Sequence, residues 1–375
     1  MKILLLGEYS NVHATLARGL RALGHEVTVA SNGDFWKNYP RDTDLARKPG
    51  KWGGITLQLK VWRELFRWRD YDVVQLINPM FLELRAERIF PIYDYLRRNN
   101  RRIILGGFGM DWYWAHTCVE DKPLRYSDFN IGDQLRNNPE ALTERNDWIG
   151  TTKEALNKHI ANSCDAIVAG LYEYWVCYSH ALPDKTVYIP YPIEMPQPHE
   201  DNFNGLLRVF IGINSSRSAY KGTDIMLSAA EEVAARHPDR MQLRVARSVP
   251  FNEYQQMMDG SDVILDQLYS YTPSMNALLA MSKGIICVGG GEPEHYDLLG
   301  ETQLRPIINV QPSRESVVEA LEWLIAHPDS IPQLKRDSIA YVRRHHDYLD
   351  VARKYERYAS RCSGAKGVKS AYLFG

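Results

Sequence analysis

The sequence LRVFIGINSSRSAYKGTDIM, at residues 207–226, opens the part of the chain that decides its fold. It reads as a buried strand, a polar loop that carries Arg217 and Lys221, and the start of a helix. Farther along, SDVILDQLYSYTPSMNALLAMSKGIICVGGGEPE at residues 261–294 repeats the order of strand, loop and helix and adds a glycine-rich turn. This alternation predicts an α/β domain with a parallel sheet over residues 205–348.

The predicted loops of this domain carry basic residues, glycines and small polar groups. In an open parallel sheet, the loops that follow the strands form the ligand crevice. The Lys221-Gly222 pair and the Gly290-Gly291 turn would offer positive charge and backbone N–H donors, which suit a diphosphate. We therefore expect this domain to bind a nucleotide-linked substrate.

The preceding half, residues 1–195, predicts a second Rossmann-like domain. Residues 114–148 lack clean periodicity and are predicted to be an irregular insertion on the binding face. The proline-rich stretch 190–204 is predicted to link the domains, and a C-terminal helix and tail, residues 349–375, to pack back on the first domain, with 363–375 frayed. Two such domains predict a central cleft that holds one substrate on each side.

Strands of the first half are predicted at residues 3–6, 26–30, 73–77, 103–105, 166–169 and 186–189. Helices of the chain are predicted at residues 81–98, 152–163 and 331–346.

Composition and charge exclude several classes of protein. The 375 residues are 45% apolar and 24% charged, with a formal charge of −1, which gives no electrostatic case for nucleic acid as a partner. No apolar run approaches the ~18 residues of a membrane span, and the N-terminal residues do not resemble a signal peptide. Five scattered cysteines without CxxC spacing are interpreted as free thiols in a reducing cytosol, so we expect a cytoplasmic protein.

Several short motifs occur in a fixed order along the chain: Gly24-His25-Glu26-Val27, Tyr71-Asp72-Val73-Val74, Ile189-Pro190-Tyr191-Pro192, Tyr220-Lys221-Gly222, Ser261-Asp262-Val263, Ala280-Met281-Ser282-Lys283-Gly284, and Gly290-Gly291 with Pro293-Glu294. In order and spacing they resemble the motifs of the GT-B glycosyltransferases, particularly the retaining group called glycosyltransferase family 4. The resemblance covers most of the chain and implies two Rossmann-like domains, an N-terminal one for the acceptor and a C-terminal one for the donor.

The resemblance also implies a reaction. A sugar would pass from a nucleoside-diphosphate sugar to a glycan or lipid-linked acceptor, in the assembly of a cell-surface polysaccharide. Retention of configuration is implied, with the nucleotide sugar as co-substrate and no cofactor. We expect no essential metal, because Asp42-Thr43-Asp44 lies in a polar loop and is interpreted as a chance match to a metal-binding motif.

Particular residues follow from these loops and from the resemblance. His13 and Asp111 are predicted to be catalytic, and Gly7, Glu8 and Trp112 to bind the acceptor. The predicted donor-binding residues are Arg217, Lys221, Gly222, Tyr271, Ser274, Met275, Asn276, Gly290, Gly291 and Glu294.

One departure from the family pattern leaves the function open. The family carries two glutamates eight positions apart, and Tyr271 and Leu279 stand at the matching positions here. The first glutamate would contact the donor sugar and the second would hold the ribose, so retention and inversion both remain open. Two alternative functions remain as well: a non-catalytic relative that binds a glycan or a partner, and a nucleotide-sugar epimerase with His13, Glu8 and Asp111 as acid and base.

A basic, aromatic stretch follows the first polar loop. Trp62, Phe66 and Trp68 alternate with Lys60, Arg63, Arg67 and Arg69. Such a helix could lie on an anionic membrane surface, at the inner face of the membrane. The alternative is an amphipathic helix that packs on the domain core.

Overall fold

The structure is a computed structural model that describes residues 1–197 and 203–361. Strands and helices alternate along most of the chain. The strands are β1 (Lys2–Leu6), β2 (Glu26–Ser31), β3 (Thr43–Asp44), β4 (Val73–Leu76), β5 (Ile103–Gly107), β6 (Asn130–Ile131), β7 (Gln134–Leu135), β8 (Ala166–Ala169), β9 (Thr186–Tyr188), β10 (Leu207–Ile213), β11 (Met241–Arg247), β12 (Val263–Leu265), β13 (Ile286–Gly289) and β14 (Ile308–Asn309).

The helices connect these strands and close the chain. They are α1 (Val12–Ala22), α2 (Gly53–Leu65), α3 (Ala86–Asn99), α4 (Trp112–Glu120), α5 (Pro139–Trp148), α6 (Thr152–Ser163), α7 (Tyr172–Ala181), α8 (Ser218–Lys221), α9 (Thr223–Arg236), α10 (Phe251–Met258), α11 (Met275–Ser282), α12 (Pro293–Leu299), α13 (Arg314–Ala326), α14 (Ile331–His346) and α15 (Tyr348–Arg361). No helix of the described residues is long and apolar enough to cross a membrane.

The first compact unit contains residues 1–123 and 143–192 together with α15. Its seven strands form one parallel sheet in the order β3-β2-β1-β4-β5-β8-β9. The strands at its centre, β4, β5 and β8, are buried along their whole length. They are almost continuously apolar, as expected for a parallel sheet that is covered on both faces.

The second unit contains residues 124–142 and 193–347. Its five strands form a parallel sheet in the order β11-β10-β12-β13-β14. The apolar core lies between these strands and helices α9 and α13. The sequence placed residues 124–142 in the first domain, whereas in the structure this segment, which includes the antiparallel β6–β7 hairpin, groups with the second unit. We call residues 124–142 the inserted segment.

The C-terminal helix α15 packs in the first unit, against α1. A side-chain carbon on Gly19 of α1 would lie 2.6 Å from the carbonyl oxygen of Tyr348, so the two helices approach closely. Tyr355 accepts a hydrogen bond from the Gln75 amide (3.3 Å), and Glu356 lies 3.1 Å from the His25 ring. The end of the chain that the structure describes is therefore part of the first unit.

The predicted fold class is confirmed, since both units are α/β with parallel sheets. Helix α3 begins at Ala86 rather than at residue 81, because the backbone at Arg85 is still extended. Residues 114–148 were predicted to be irregular, but they contain most of α4 and all of α5. Helix α4 is buried on nearly every side, so no single apolar stripe marks it in the sequence. Residues 198–202 of the predicted linker and the tail 363–375 lie outside the described residues.

Candidate active site

The first candidate cluster lies where β1 ends and α1 begins. Gly7 donates its N–H to the carbonyl of Ala30 on the neighbouring strand (2.9 Å). Ser10 and Asn11 then have φ angles of 52° and 70°. Residues other than glycine seldom take this conformation, and such strain is found at functional turns. The turn is followed by His13, which is fully buried in the first turn of α1.

The carboxyl group of Glu8 lies at the N-terminus of α1. Its Oε1 accepts the N–H of His13 (3.2 Å) and its Oε2 accepts the N–H of Ala14 (2.8 Å). These bonds favour the ionised carboxylate, but burial outweighs them and raises the pKa of Glu8 to about 8. At neutral pH, Glu8 is therefore held mainly in its uncharged form.

The imidazole of His13 presents one nitrogen lone pair. Its Nδ1 lies 2.8 Å from the carbonyl oxygen of Gly7, and because a carbonyl only accepts, Nδ1 must carry the proton. Burial lowers the pKa of His13 to about 4, so the ring is neutral at pH 7. Its Nε2 is buried, and no described group forms a hydrogen bond with it. This nitrogen can accept a hydrogen bond, or a proton, from a hydroxyl group.

Asp111 follows β5 and begins α4. Its Oδ1 accepts the N–H of Trp114 (2.9 Å), which makes it the N-cap of the helix, and its Oδ2 accepts the hydroxyl of Tyr178 (2.7 Å). Burial raises the pKa of Asp111 to about 7. Both oxygens thus have protein partners that tie α4 to α7. The catalytic role of Asp111 stays a prediction.

Trp112 is also used in packing. Its ring is stacked on His116, with 4.3 Å between the ring centroids, and the ammonium of Lys158 lies 4.0 Å from its centroid. Phe108, just before this loop, places its ring 6.3 Å from that of His13. The loops after β1 and β5 therefore lie close together, while the contact of Trp112 with an acceptor stays a prediction.

The second candidate cluster is in the second unit, at the loop after β10. Lys221 ends the short helix α8, and Gly222 separates it from α9 with a φ of 73°. A side-chain carbon on Gly222 would lie 2.6 Å from Cβ of Leu268, so only glycine fits this turn. The carbonyl of Lys221 accepts the N–H of Leu268 (3.0 Å). The predicted phosphate loop is thus tied to the segment after β12, and Arg217 in the same loop lies 5.0 Å from the Tyr220 ring.

The segment after β12 contains a buried carboxylate that the sequence did not indicate. Asp266 accepts hydrogen bonds from the hydroxyl of Ser274 (2.7 Å) and from its N–H (3.2 Å), at the start of α11. Burial raises the pKa of Asp266, while Ser274 and the ammonium of Lys221 act against that shift. Met275 and Asn276 form the first turn of α11, where the Asn276 amide donates to the Tyr254 hydroxyl (2.6 Å). Ser274 and Asn276 are therefore already engaged by the protein.

The glycine turn after β13 packs against the same segment. A side-chain carbon on Gly290 would collide with the carbonyl of Ser270, and the N–H of Gly291 bonds to Asn309 (3.0 Å). The N–H of Glu292 then donates to the carbonyl of Tyr271 (3.1 Å). The loops after β10, β12 and β13 are thus in contact at the carboxyl ends of three adjacent strands, where an open parallel sheet binds its ligands.

The inserted segment contacts these loops through residues that the sequence did not single out. The N–H of Arg125 donates to the hydroxyl of Tyr271 (2.8 Å), and the guanidinium lies 5.1 Å from the Tyr271 ring. The same guanidinium binds Glu292 (2.6 Å) and Glu294. The hydrogen bond with Glu294 is the main cause that raises the pKa of Arg125. The predicted donor-binding glutamate is therefore paired with an arginine of the inserted segment.

Glu292 is more deeply buried than Glu294 and has more partners. Its Oε1 accepts the amides of Asn309 (2.9 Å) and Gln311 (2.8 Å), and the hydroxyl of Tyr126 also donates to it. Although burial alone would raise the pKa of Glu292, these donors and the charge of Arg125 lower it. Glu292 thus remains ionised, although its side chain is only 4% exposed.

A second part of the inserted segment contacts the phosphate loop. The Arg136 guanidinium donates to the carbonyls of Ala219 (2.7 Å) and Tyr220 (3.0 Å) and lies 3.6 Å from the Tyr269 ring centroid. Burial raises the pKa of Asp128, whereas the nearby positive charges of Arg217, Arg136 and Lys221 act in the opposite direction. The carboxyl group of Asp128 therefore lies close to the two cations that the sequence assigned to a diphosphate.

Sequence reasoning missed the residues that reach these loops from elsewhere in the chain. Arg125, Tyr126, Asp128 and Arg136 lie in a stretch whose only signal was its many polar and aromatic residues. Glu292 stands two positions before the glutamate that the motif singled out. The roles of the predicted site residues stay predictions, although the structure brings the donor set together at one edge of the second sheet and the remaining set together in the first unit.

No protein-family model matches this chain, and no curated protein matches it. Solved structures do match over nearly its whole length. HepE of Anabaena, in complex with UDP and glucose, is 13% identical with a TM-score of 0.59, and the match covers 96% of this chain and 99% of HepE. Sucrose-phosphate synthase of Thermosynechococcus elongatus is 12% identical with a TM-score of 0.61, over 96% and 99% of the two chains.

A third match carries a different activity in its name. A putative UDP-N-acetylglucosamine 2-epimerase of Listeria monocytogenes is 9% identical with a TM-score of 0.57, and the match covers 100% of both chains. At these identities the likeness shows the fold, which is the two-domain GT-B fold that the sequence motifs implied. Because one fold supports several reactions, the function must be argued from the site.

Proposed function

We propose that this protein is a glycosyltransferase that moves a sugar from a nucleoside-diphosphate sugar to a glycan or lipid-linked acceptor, in the assembly of a cell-surface polysaccharide. One observation carries the proposal. The loops after β10, β12 and β13 contact one another at the carboxyl edge of the second sheet, and they bring Lys221 to the end of a helix beside a glycine turn. The fold of HepE, whose structure contains UDP and glucose, supports it.

The donor is proposed to bind the second unit. Lys221 and Arg217 would neutralise the diphosphate as negative charge develops on the leaving group, which is the largest electrostatic demand of such a transfer. Glu294 would accept hydrogen bonds from the sugar hydroxyls, and Arg125 would orient it. Because Lys221 and Arg217 would bring two positive charges to the diphosphate, we propose that the reaction needs neither a metal nor another cofactor.

The acceptor is proposed to bind the first unit, near Gly7, Glu8 and Trp112. The lone pair on Nε2 of His13 would accept a hydrogen bond from a neighbouring hydroxyl of the acceptor and so orient the attacking oxygen. The proposed reaction retains the configuration of the sugar, with the donor phosphate removing the proton of that hydroxyl. Asp111 would act by fixing the loop between β5 and α4. We further propose a cytoplasmic enzyme that works in peripheral contact with a membrane, where a lipid-linked acceptor would be available.

A thermal-shift screen of nucleoside diphosphates and their sugars tests the donor site. UDP is the first ligand to try, and at a hundredfold excess over Kd it should stabilise the protein by about 2.7 kcal/mol. Lys221→Ala should lose this shift. Lys283→Ala is the matched control, because Lys283 is another lysine in a loop of the second unit, where it pairs with Asp259 (2.6 Å). An absence of any shift with every nucleotide, or an equal loss in both variants, would refute the assignment.

A further inference from the structure

Helix α2 presents apolar side chains on two opposite faces. One face is buried in the first unit and contains Leu57, Val61 and Leu65. This face explains why residues 53–65 form a helix, because these side chains recur every four residues. It accounts for only half of the large apolar residues of the helix.

The other apolar face is exposed. Its members stand three or four positions apart, and they occupy about 80° of the helix surface at ~100° per residue. Trp52 and Phe66, which flank the helix, both have helical dihedral angles and so extend the stripe at each end. The members of this exposed stripe are Trp52 (73% exposed), Ile55 (43%), Leu59 (67%), Trp62 (51%) and Phe66 (69%).

A contiguous apolar stripe of this kind is unusual on a soluble monomer and marks a binding surface. The sequence had suggested Trp62, Phe66 and Trp68 as the aromatic members. Trp68 is buried and belongs to the core, whereas Trp62 and Phe66 point out of it. The buried face thus realises the packing alternative, and the exposed face is the one to which the membrane alternative would apply.

The charge around the exposed stripe is strongly positive. Residues 47–69 contain seven lysines and arginines and one acid, although the whole chain has a formal charge of −1. The acid, Glu64, is buried and paired with Arg63 (3.4 Å) and Arg67 (3.3 Å). By helical position, Lys60, Arg63 and Arg67 lie between the exposed stripe and the buried face. The stripe is therefore bordered by cations along one side.

We propose that α2 docks in the interface of an anionic lipid bilayer, with the exposed stripe in the region between head groups and acyl chains and the basic residues on the lipid phosphates. Helices that lie in this interface combine Trp, Phe and Leu on one side with Lys and Arg beside them, as α2 does. Charge complementarity favours a bilayer over a second copy of the chain, because two such positively charged faces would repel each other.

The inference deepens the proposed membrane contact and rests on it, but its test requires no sugar donor. A failure of vesicle binding would leave the nucleotide experiment unaffected, and a failure of nucleotide binding would leave the vesicle result unaffected. The two proposals can therefore be rejected separately.

Sedimentation of the full chain with vesicles provides the test. We expect binding to vesicles with 30% phosphatidylglycerol in phosphatidylcholine (roughly the anionic share that gives a surface potential of tens of millivolts) and weak binding to phosphatidylcholine alone. Leu59→Gln with Trp62→Gln should lower the binding about tenfold or more, because two large apolar groups no longer enter the bilayer. Lys48 and Lys51 are two exposed lysines of the same basic stretch, just before α2. Lys48→Gln with Lys51→Gln should lower the binding about 25-fold, at about fivefold per charge, and salt should weaken the binding of the wild type as well.

Trp323→Gln is the matched control, because Trp323 is an exposed tryptophan of the second unit (43%). It should leave the binding unchanged. Circular dichroism of each variant establishes that it is folded. The inference is overturned if wild type ignores anionic vesicles, if the stripe variant binds as well as wild type, or if the stripe instead holds a dimer that Leu59→Gln with Trp62→Gln dissociates without any vesicle binding.

Discussion

Glu8 and Glu292 are both buried carboxyl groups next to a helix, yet their surroundings drive ionisation in opposite directions. Glu8 has backbone N–H partners, and burial raises its pKa to about 8. Glu292 has Arg125, Tyr126 and two side-chain amides, and its pKa is lowered. Burial therefore does not decide the charge by itself, because a cation and several aligned donors can replace the lost water.

The difference separates the two candidate clusters by chemistry. The first unit collects groups that are neutral at pH 7, namely protonated Glu8 and unprotonated His13, which suits an uncharged hydroxyl acceptor. The second unit keeps its charges in pairs, which suits a charged diphosphate. Each of the following predictions tests one side of this comparison.

The largest effect is expected from Glu292→Ala. The variant removes the acceptor of the buried Tyr126 hydroxyl and of the Asn309 and Gln311 amides, and it leaves the Arg125 guanidinium without its buried partner. The free energy of unfolding of the second unit should therefore fall by about 3 kcal/mol. Urea denaturation would measure the change, and hydrogen exchange of second-unit peptides would locate it.

Glu294→Ala is the matched control for Glu292→Ala. Both glutamates bind the same arginine, but the side chain of Glu294 is 32% exposed and that of Arg125 is 53% exposed. Because solvent screens this exposed pair, Glu294→Ala should lower the free energy of unfolding by less than about 1 kcal/mol. Equal losses in the two variants would show that the buried donor network around Glu292 does not stabilise the unit.

A pH dependence is expected from Glu8. Its pKa rises from 4.5 to about 8 on folding, so the folded state holds a proton that the unfolded state has released, and stability falls as pH rises through this window. His13 acts in the opposite sense between pH 4 and 6.5, because its pKa falls from 6.5 to about 4. Above pH 6.5 the loss of stability caused by Glu8 continues. The raised pKa of Asp111 adds to this loss up to about pH 7.

We therefore expect the free energy of unfolding to fall by about 2 kcal/mol between pH 6.5 and 8, at ~1.4 kcal/mol per pH unit for one proton. In urea denaturation, Glu8→Gln should remove most of this decrease of the unfolding free energy with pH. Glu26→Gln, which changes an exposed glutamate of the same unit, should leave it unaltered. A wild-type stability that stays constant or rises over this range would contradict the neutral character of the first cluster.

Much of the fold was accessible from the sequence, because buried parallel strands are short apolar runs with glycine or proline at their ends. The runs at β4, β8 and β10 were predicted to within about one residue of their observed ends, and α6 and α14 were predicted with their observed bounds. The sequence did not reveal helix α4, because apolar residues occupy nearly all of its faces. Such a helix shows no 3.6-residue period of apolar and polar positions.

The candidate site was accessible only where a loop carries its own signal. Lys221-Gly222 and Gly290-Gly291 follow strands and could be found by position. Arg125 could not, because its partners Glu292 and Glu294 are more than 160 residues away in the chain and its neighbours show no period. Long-range pairing of an inserted segment leaves no local pattern, so this part of the site required the structure.

The smallest effect is expected from Asp128→Asn, which tests the charge pairing of the second cluster. Asp128 brings a carboxyl group to Arg217 and Lys221, the cations proposed for the donor diphosphate. A neutral amide of the same shape should remove the repulsion between the Asp128 carboxylate and the bound diphosphate. The affinity for a nucleoside diphosphate should then rise about fivefold, which corresponds to ~1 kcal/mol for a partly exposed charge pair. Isothermal titration at two salt concentrations would measure the affinity, with a smaller gain at high salt.

Asp133→Asn, which changes an exposed position of the same inserted segment, should leave the affinity unchanged. If the affinity falls instead, Asp128 must hold the two cations in place for the diphosphate, and the carboxyl group is then a supporting part of the donor site rather than a competitor for it.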